Sequence, residues 1–146
     1  MPDENSSHQI VVFTIGSEQY AIPIAQVQEI IRYHEPRLVA SPIPWVRGVI
    51  SLRGRIVPVY DIAERLGIDS KLTEHAKIVI VEAGTEMAGV IVDDVDEVLT
   101  VVEKQFEHLP DTGSDMIDAV VKIEERLVVL VNVAAIFDYT PAAAAA

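Results

Sequence analysis

Chemistry in this chain has few side chains to draw on, because it holds no cysteine and only four histidines. His8, His34, His75 and His108 are scattered, and none shares a His-x-x-x-His or His/carboxylate spacing that could wrap a metal ion. No Gly-x-Ser-x-Gly elbow is present, and Gly84 and Gly89 sit in a hairpin pattern rather than ahead of a helix, so no phosphate loop is implied. Asp93-Asp94 is an acidic pair at a strand end, where a phospho-receiver domain would hold magnesium. Such a domain alternates long amphipathic helices with parallel strands, and this chain has almost no helix-period segments, so the pair reads as a turn with solvated carboxylates. The expected inventory is therefore no catalytic residue, no metal and no cofactor. What remains is recognition chemistry: a cation, Arg53, held at a bend.

The bend belongs to Arg47-Gly-Val-Ile-Ser-Leu-Arg-Gly-Arg-Ile-Val-Pro-Val-Tyr-Asp61. Val49, Ile50 and Leu52 precede Gly54 and Ile56, Val57 and Val59 follow it, which predicts two strands meeting at Arg53-Gly54. Asp61 lies three residues before Glu64, a capping-box spacing, and Gly67 follows Leu66 as a left-handed stop, so a short helix should close the hairpin. Glu29, at the end of another predicted strand, has the charge to brace Arg53. A surface pair of that kind contributes only about 0–1 kcal/mol, so its value would lie in orienting the arginine. Ahead of the hairpin, Pro36, Pro42 and Pro44 predict an extended, non-central path carrying Val39, Ile43, Trp45 and Val46. Trp45, the only tryptophan, has two readings: a core filler, or an interface anchor offering much apolar area at low entropic cost.

The elements that position these residues follow from the pattern. Residues 1–9 read as disordered. Strands are expected over 10–15, 19–23 and 28–33, with a helical turn at 24–27 and a polar linker over 69–75. Residues 139–146, with Pro141 followed by alanines, read as a tail outside the fold. Half of the 146 residues are hydrophobic, dominated by Val and Ile, which is sheet-building material. The formal net charge of −12 repels phosphates, so nucleic acid and anionic membrane surfaces are disfavoured partners and a protein or a cationic small molecule is favoured. The acidic, polar N-terminus is unlike a signal peptide, no apolar run reaches membrane-span length, and a cytoplasmic protein with no direct membrane insertion is expected.

A repeat organises the whole. Residues 15–31 align with 83–99, pairing Gly16 with Gly84, Glu18 with Glu86, Val27 with Val95 and Glu29 with Glu97. Residues 54–63 align with 125–134, pairing Arg55 with Arg126 and Asp61 with Asn132. Two matches in the same order, with turn and cap residues in register, indicate a duplicated unit of about five strands. The expected fold is all-β with short helices: two SH3-like five-stranded β-barrels, 10–68 and 76–138 with strand exchange at the ends, forming one domain over 10–138. Closure removes the exposed edges of short Val/Ile strands, and barrels of about seventy residues must lean on one another for stability. A groove between them would be lined by the equivalent segments 24–30 and 92–98.

Val12-Phe13-Thr14-Ile15 with Gly16, Glu18 and Tyr20, Val27-Gln28-Glu29-Ile30, Pro44, Gly48-Val49, Leu52-Arg53-Gly54, Ile56-Val57-Pro58-Val59, Asp61 and Val92-Asp93 together resemble the CheW-like family of bacterial chemotaxis coupling proteins. The likeness runs from about Ile10 to Asp138. It implies a scaffold without catalytic activity that couples methyl-accepting chemoreceptors to the regulatory domain of the histidine kinase CheA. It further implies a receptor site in the groove at Ile24, Val27, Ile30 and Val95, with Arg53 braced by Glu29 on the same surface, and a helical hairpin as guest. The kinase would use another face, through Val39, Ile43, Trp45 and Val46. Ser51 stands where the family usually has asparagine, which removes any hydrogen bond from that amide. The reading from a different class is a small-ligand-binding or enzymatic β-barrel using the groove with Asp93 and Asp94.

Overall fold

The computed structural model describes residues 7–41, 43–108 and 116–137. Ser7–Ile15 (β1) and Glu18–Pro23 (β2) form a hairpin, and a 3₁₀ turn at Ile24–Gln26 leads into Val27–Arg32 (β3). Val46–Leu52 (β4) and Arg55–Asp61 (β5) form the second hairpin, closed by the helix Ile62–Leu66 (α1). Then follow Lys77–Ala83 (β6), Glu86–Val92 (β7), Asp94–Val102 (β8), a 3₁₀ turn at Glu103–Gln105, and the two-residue Phe106–Glu107 (β9). Ile117–Ile123 (β10), Arg126–Val131 (β11) and Val133–Phe137 (α2) complete the described chain. The strand β1 starts at Ser7 rather than at Ile10, because β8 pairs along its full length, down to Ser7 opposite Val102. The helix α1 keeps half of the expected capping box: the Asp61 carboxylate accepts from the Glu64 N–H, while the Asp61 N–H donates to the Trp45 carbonyl instead, and Gly67 takes the left-handed conformation at φ 71°.

The strands form two sheets, ordered β8-β1-β2-β11-β10-β9 and β3-β6-β7-β5-β4. Each draws on both halves of the chain. With β9 set aside, the two orders coincide when every strand is replaced by its repeat equivalent: β1 by β6, β2 by β7, β3 by β8, β4 by β10 and β5 by β11. The first hairpin of each half thus completes the sheet of the other half, through a parallel pairing of β2 with β11 and of β7 with β5. The correspondence extends to the sixth position, since β9 places Glu107 opposite Val120, and an isolated bridge places Arg37 opposite the equivalent Val49. Both sheets curl. In the first, the outermost strands β8 and β9 are joined by only the three-residue turn Glu103–Gln105, so the two ends of the sheet meet at that corner.

Curling explains the composition. Ile10, Val12, Ala21, Val101, Val121 and Val128 fill the interior of the first sheet. Ile50, Val57, Val59, Ile78, Ile80 and Ile91 fill the second. The alternate residues of the same strands, Phe13, Ile15, Tyr20 and Ile22 on one side and Val79, Val81, Val90 and Val92 on the other, meet in a third cluster that also receives both helices. Central strands therefore have two buried faces, which is why Ile78-Val-Ile-Val81 runs without alternation. Gly89 is part of this packing, not of a turn: a Cβ there would lie 2.7 Å from the Ile78 side chain.

Candidate protein-docking site

Strict alternation along β3 would put Val27 and Ile30 on opposite faces. A bulge prevents this: Val27 pairs with Val81, but Glu29 already pairs with Ile80, leaving Gln28 as the extra residue. Ile30 therefore lies opposite Val79, on the same face as Val27, while Glu29 and Ile31 take the other face, Ile31 packing on the interior of the second sheet. The equivalent strand repeats the device. Phe13 pairs with Val95 and Val12 with Glu97, so Asp96 is the extra residue, and Val95 and Val98 share a face. Val27 and Val95 are half-buried and both pack against the core between the sheets. Ile24, Ile30 and Val98 project further, at 38%, 39% and 50% exposure. Val98 ends the segment 92–98 expected to line the groove, and the repeat places it at the position of Ile30.

Arg53 and Gly54 occupy the β4–β5 corner with φ values of 51° and 80°, the two positive angles of a type I′ turn. The corner points the arginine across the mouth of the barrel to Glu29, with Nη1 to Oε1 at 3.2 Å and Nη2 to Oε2 at 3.4 Å. Because β3 and β4 are opposite ends of the second sheet, this pair ties its two edges together. An open cleft of about 230 Å³ lies beside it, lined by Gln28, Leu52, Arg55 and Met87 among others. The other sheet has a counterpart made with a different residue. Arg126 donates to Glu97 at 3.1 Å and to the Gln19 side chain at 2.9 Å.

The proline-broken loop is pinned by backbone. Arg37 and Val49 exchange two hydrogen bonds of 2.9 Å, and Gly48, at φ 152°, lets the strands approach. The four loop residues do not share one exposure. Val39 is 44% exposed, whereas Ile43, Trp45 and Val46 are half-buried, Val46 within β4 opposite Tyr60. Trp45 is half-buried: its ring lines a small cavity with Ile62, Met116 and Ile136, and the Arg65 guanidinium lies 4.5 Å above it. Its carbonyl accepts from the Asp61 N–H at 2.7 Å. Asp61 in turn binds Arg47 at 2.6 Å, with Glu64 adding a contact at 2.9 Å, and the hydrogen bond to Asp61 raises the guanidinium pKa further above its ordinary value.

Asp93 departs from the reading as a solvated turn. It is partly buried and accepts hydrogen bonds from the Gly16 N–H, at 2.8 Å, and from the Ser70 hydroxyl. Its own N–H donates to the Thr14 carbonyl at 2.9 Å, so the residue fastens the β1–β2 turn to the β7–β8 corner and to the linker after α1. Each of its carboxylate oxygens thus already accepts a hydrogen bond within the fold. Among the described residues no group of three or more His, Cys, Asp and Glu side chains is placed to hold a metal ion. No described helix is long and apolar enough to cross a membrane.

Two pseudo-symmetric curled sheets that share a core, bear aliphatic side chains on bulged edge strands and hold an arginine at a rigid corner define a protein-binding module. A family model described as the CheW-like domain matches residues 9–140, and the chain belongs to that family. The chemotaxis protein CheW of Bacillus subtilis (strain 168) is 32% identical over 138 residues, covering 91% of this chain and 88% of that protein. The chemotaxis protein CheW of Rhizobium meliloti (strain 1021) is 31% identical over 142 residues, covering 91% and 89%. The crystal structure of the scaffolding protein TtCheW from Thermoanaerobacter tengcongensis superimposes with a TM-score of 0.81 at 30% identity, covering 88% of this chain and 86% of that one.

Proposed function

We propose that this chain is a non-catalytic coupling adaptor of bacterial chemotaxis, a cytoplasmic scaffold recruited to membrane receptor arrays. In this reading the edge strands β3 and β8 hold the cytoplasmic tip of a methyl-accepting chemoreceptor through Ile24, Val27, Ile30, Val95 and Val98, with Arg53 oriented by Glu29 beside them. The regulatory domain of the kinase CheA docks elsewhere, on the loop of Val39, Ile43, Trp45 and Val46. The observation that carries the receptor site is the matched pair of bulges at Gln28 and Asp96, each turning two aliphatic side chains to one face of an edge strand. A helical hairpin laid against such side chains buries apolar area without needing a deep pocket. The relatives' roles as a scaffolding protein and as chemotaxis proteins support the same reading.

The test is co-purification with a receptor signalling-tip fragment and with the kinase regulatory domain from the same genome. Ile30→Asp and Val98→Asp, at exposed positions, should abolish capture of the receptor fragment and leave kinase capture unchanged. Undiminished capture of the receptor fragment by both variants would remove β3 and β8 as its site.

A further inference from the structure

The two halves of the proposed receptor site are alike in their apolar residues, and this creates a problem of direction. Val27 and Ile30 on β3 are matched by Val95 and Val98 on β8, so the aliphatic lining alone would accept a helical hairpin in either of two orientations related by the internal pseudo-two-fold. The charges around the bulges do not break the tie. On one side Gln28 donates to Glu82, on the other Thr14 donates to Asp96, one carboxylate in each position. The hairpin corners do break it. Arg53-Gly54-Arg55 at the β4–β5 corner is replaced at the equivalent β10–β11 corner by Glu124-Glu125-Arg126, and Arg126 is taken up by Glu97. Each corner is tied by an ion pair to the edge-strand residue that adjoins the exposed aliphatic, Arg53 to Glu29 next to Ile30 and Arg126 to Glu97 next to Val98. Immediately after each corner an exposed aliphatic residue projects at the same repeat position, Ile56 at 68% and Leu127 at 60% exposure.

Resting on the receptor-site reading above, we infer that the opposite charges of the two hairpin corners set the direction in which the helical guest lies. Its more acidic arm runs along the cationic β4–β5 corner, its more basic arm along the anionic β10–β11 corner. Symmetric apolar contacts supply affinity in either direction, and the like-charge meeting of arm and corner penalises the reversed one.

Because the chain has no cysteine, a single cysteine at either corner is a unique reporter. Ile56→Cys and Leu127→Cys variants would each be mixed under mild oxidation with a receptor signalling-tip fragment carrying one cysteine on its more acidic arm. The expected result is roughly tenfold more mixed disulfide at position 56 than at 127, shrinking as salt is raised. In the background Arg55→Glu, Glu124→Lys, Glu125→Lys, which leaves the Arg53–Glu29 pair intact, the preference should reverse. Equal yields at both positions, or a preference that survives the exchange, would overturn the directional role while leaving the receptor site standing. No mixed disulfide at either position, together with no capture of the fragment, would overturn the receptor site and the inference with it.

Discussion

Gly48 lies so close to Arg37 that a Cβ at position 48 would stand 2.1 Å from the Arg37 carbonyl oxygen. No side chain moves out of that clash, because the obstacle is backbone held by two hydrogen bonds to Val49. Gly48→Ala should therefore destabilise the protein by about 2 kcal/mol or more, combining the left-handed strain with the broken bridge. Denaturant unfolding measures it. A loss under about 0.5 kcal/mol would mean that the loop relaxes freely and is not pinned to β4.

Asp93 joins three segments, and removing its carboxylate leaves the Gly16 N–H and the Ser70 hydroxyl without their acceptor. Asp93→Ala is expected to cost roughly 1–3 kcal/mol, and Ser70→Ala less, since the main-chain donor keeps its partner in that variant. A double-mutant cycle between positions 70 and 93 should return a clear coupling energy. If the two losses simply add, the hydroxyl contact contributes nothing.

These two features mark where the sequence stops being informative. The β4–β5 hairpin, its Arg53-Gly54 corner, the Asp61 cap and the Gly67 stop are local, and each depends on residues within a turn or two of one another. The repeat was legible because it preserves turn and cap residues. The partnership of β2 with β11 was not, since Tyr20 meets Val129 across most of the chain and nothing near either residue encodes that register. The bulges are equally hidden. Period-two reasoning separates Val27 from Ile30, although the repeat sets the whole segment 24–30 along the groove; the skipped Gln28 supplies the physical reason they share a face. Asp93 is equally hidden, because an acidic pair at a corner carries no local sign of the Gly16 and Ser70 donors that converge on it from distant segments.

Arg53→Glu separates a binding role from a structural one. The arginine side chain is 79% exposed, so losing its pair with Glu29 should shift stability by less than about 1 kcal/mol. Capture of a receptor fragment should nonetheless fall severalfold, with the circular dichroism spectrum unchanged. Capture equal to that of the parent chain would show that the corner arginine takes no part in docking.

Trp45 is the only tryptophan, so its fluorescence reports one environment. Arg65→Ala uncovers the ring face and should shift its emission to the red, at a stability cost of roughly 0.5–1 kcal/mol for the lost cation–π contact. Trp45→Ala removes in addition the surface that packs toward Ile62, Met116 and Ile136, and should cost about 3 kcal/mol or more. Kinase-domain binding measured on the Arg65→Ala variant then tests the anchor role without unfolding the loop. Unchanged affinity there, with a red-shifted tryptophan, would assign Trp45 to the fold rather than to the kinase face.

Alkaline pH should act on the same region through its phenols. Burial raises the Tyr60 pKa above the ordinary 10.0, with Glu86 adding to the shift, and burial likewise raises those of Tyr20 and Tyr33. A phenol whose proton is held more tightly in the folded chain favours folding as long as it stays protonated. Its contribution is complete below the unfolded value of 10.0 and is lost as pH rises through the folded value, so stability should fall across that window. Tyrosinate absorbance followed during alkaline titration should lag behind that of the denatured chain. Tyr60→Phe keeps the packing and removes the ionisation, so it should shrink the alkaline loss of stability. An identical alkaline loss in that variant would show that Tyr60 does not contribute to it.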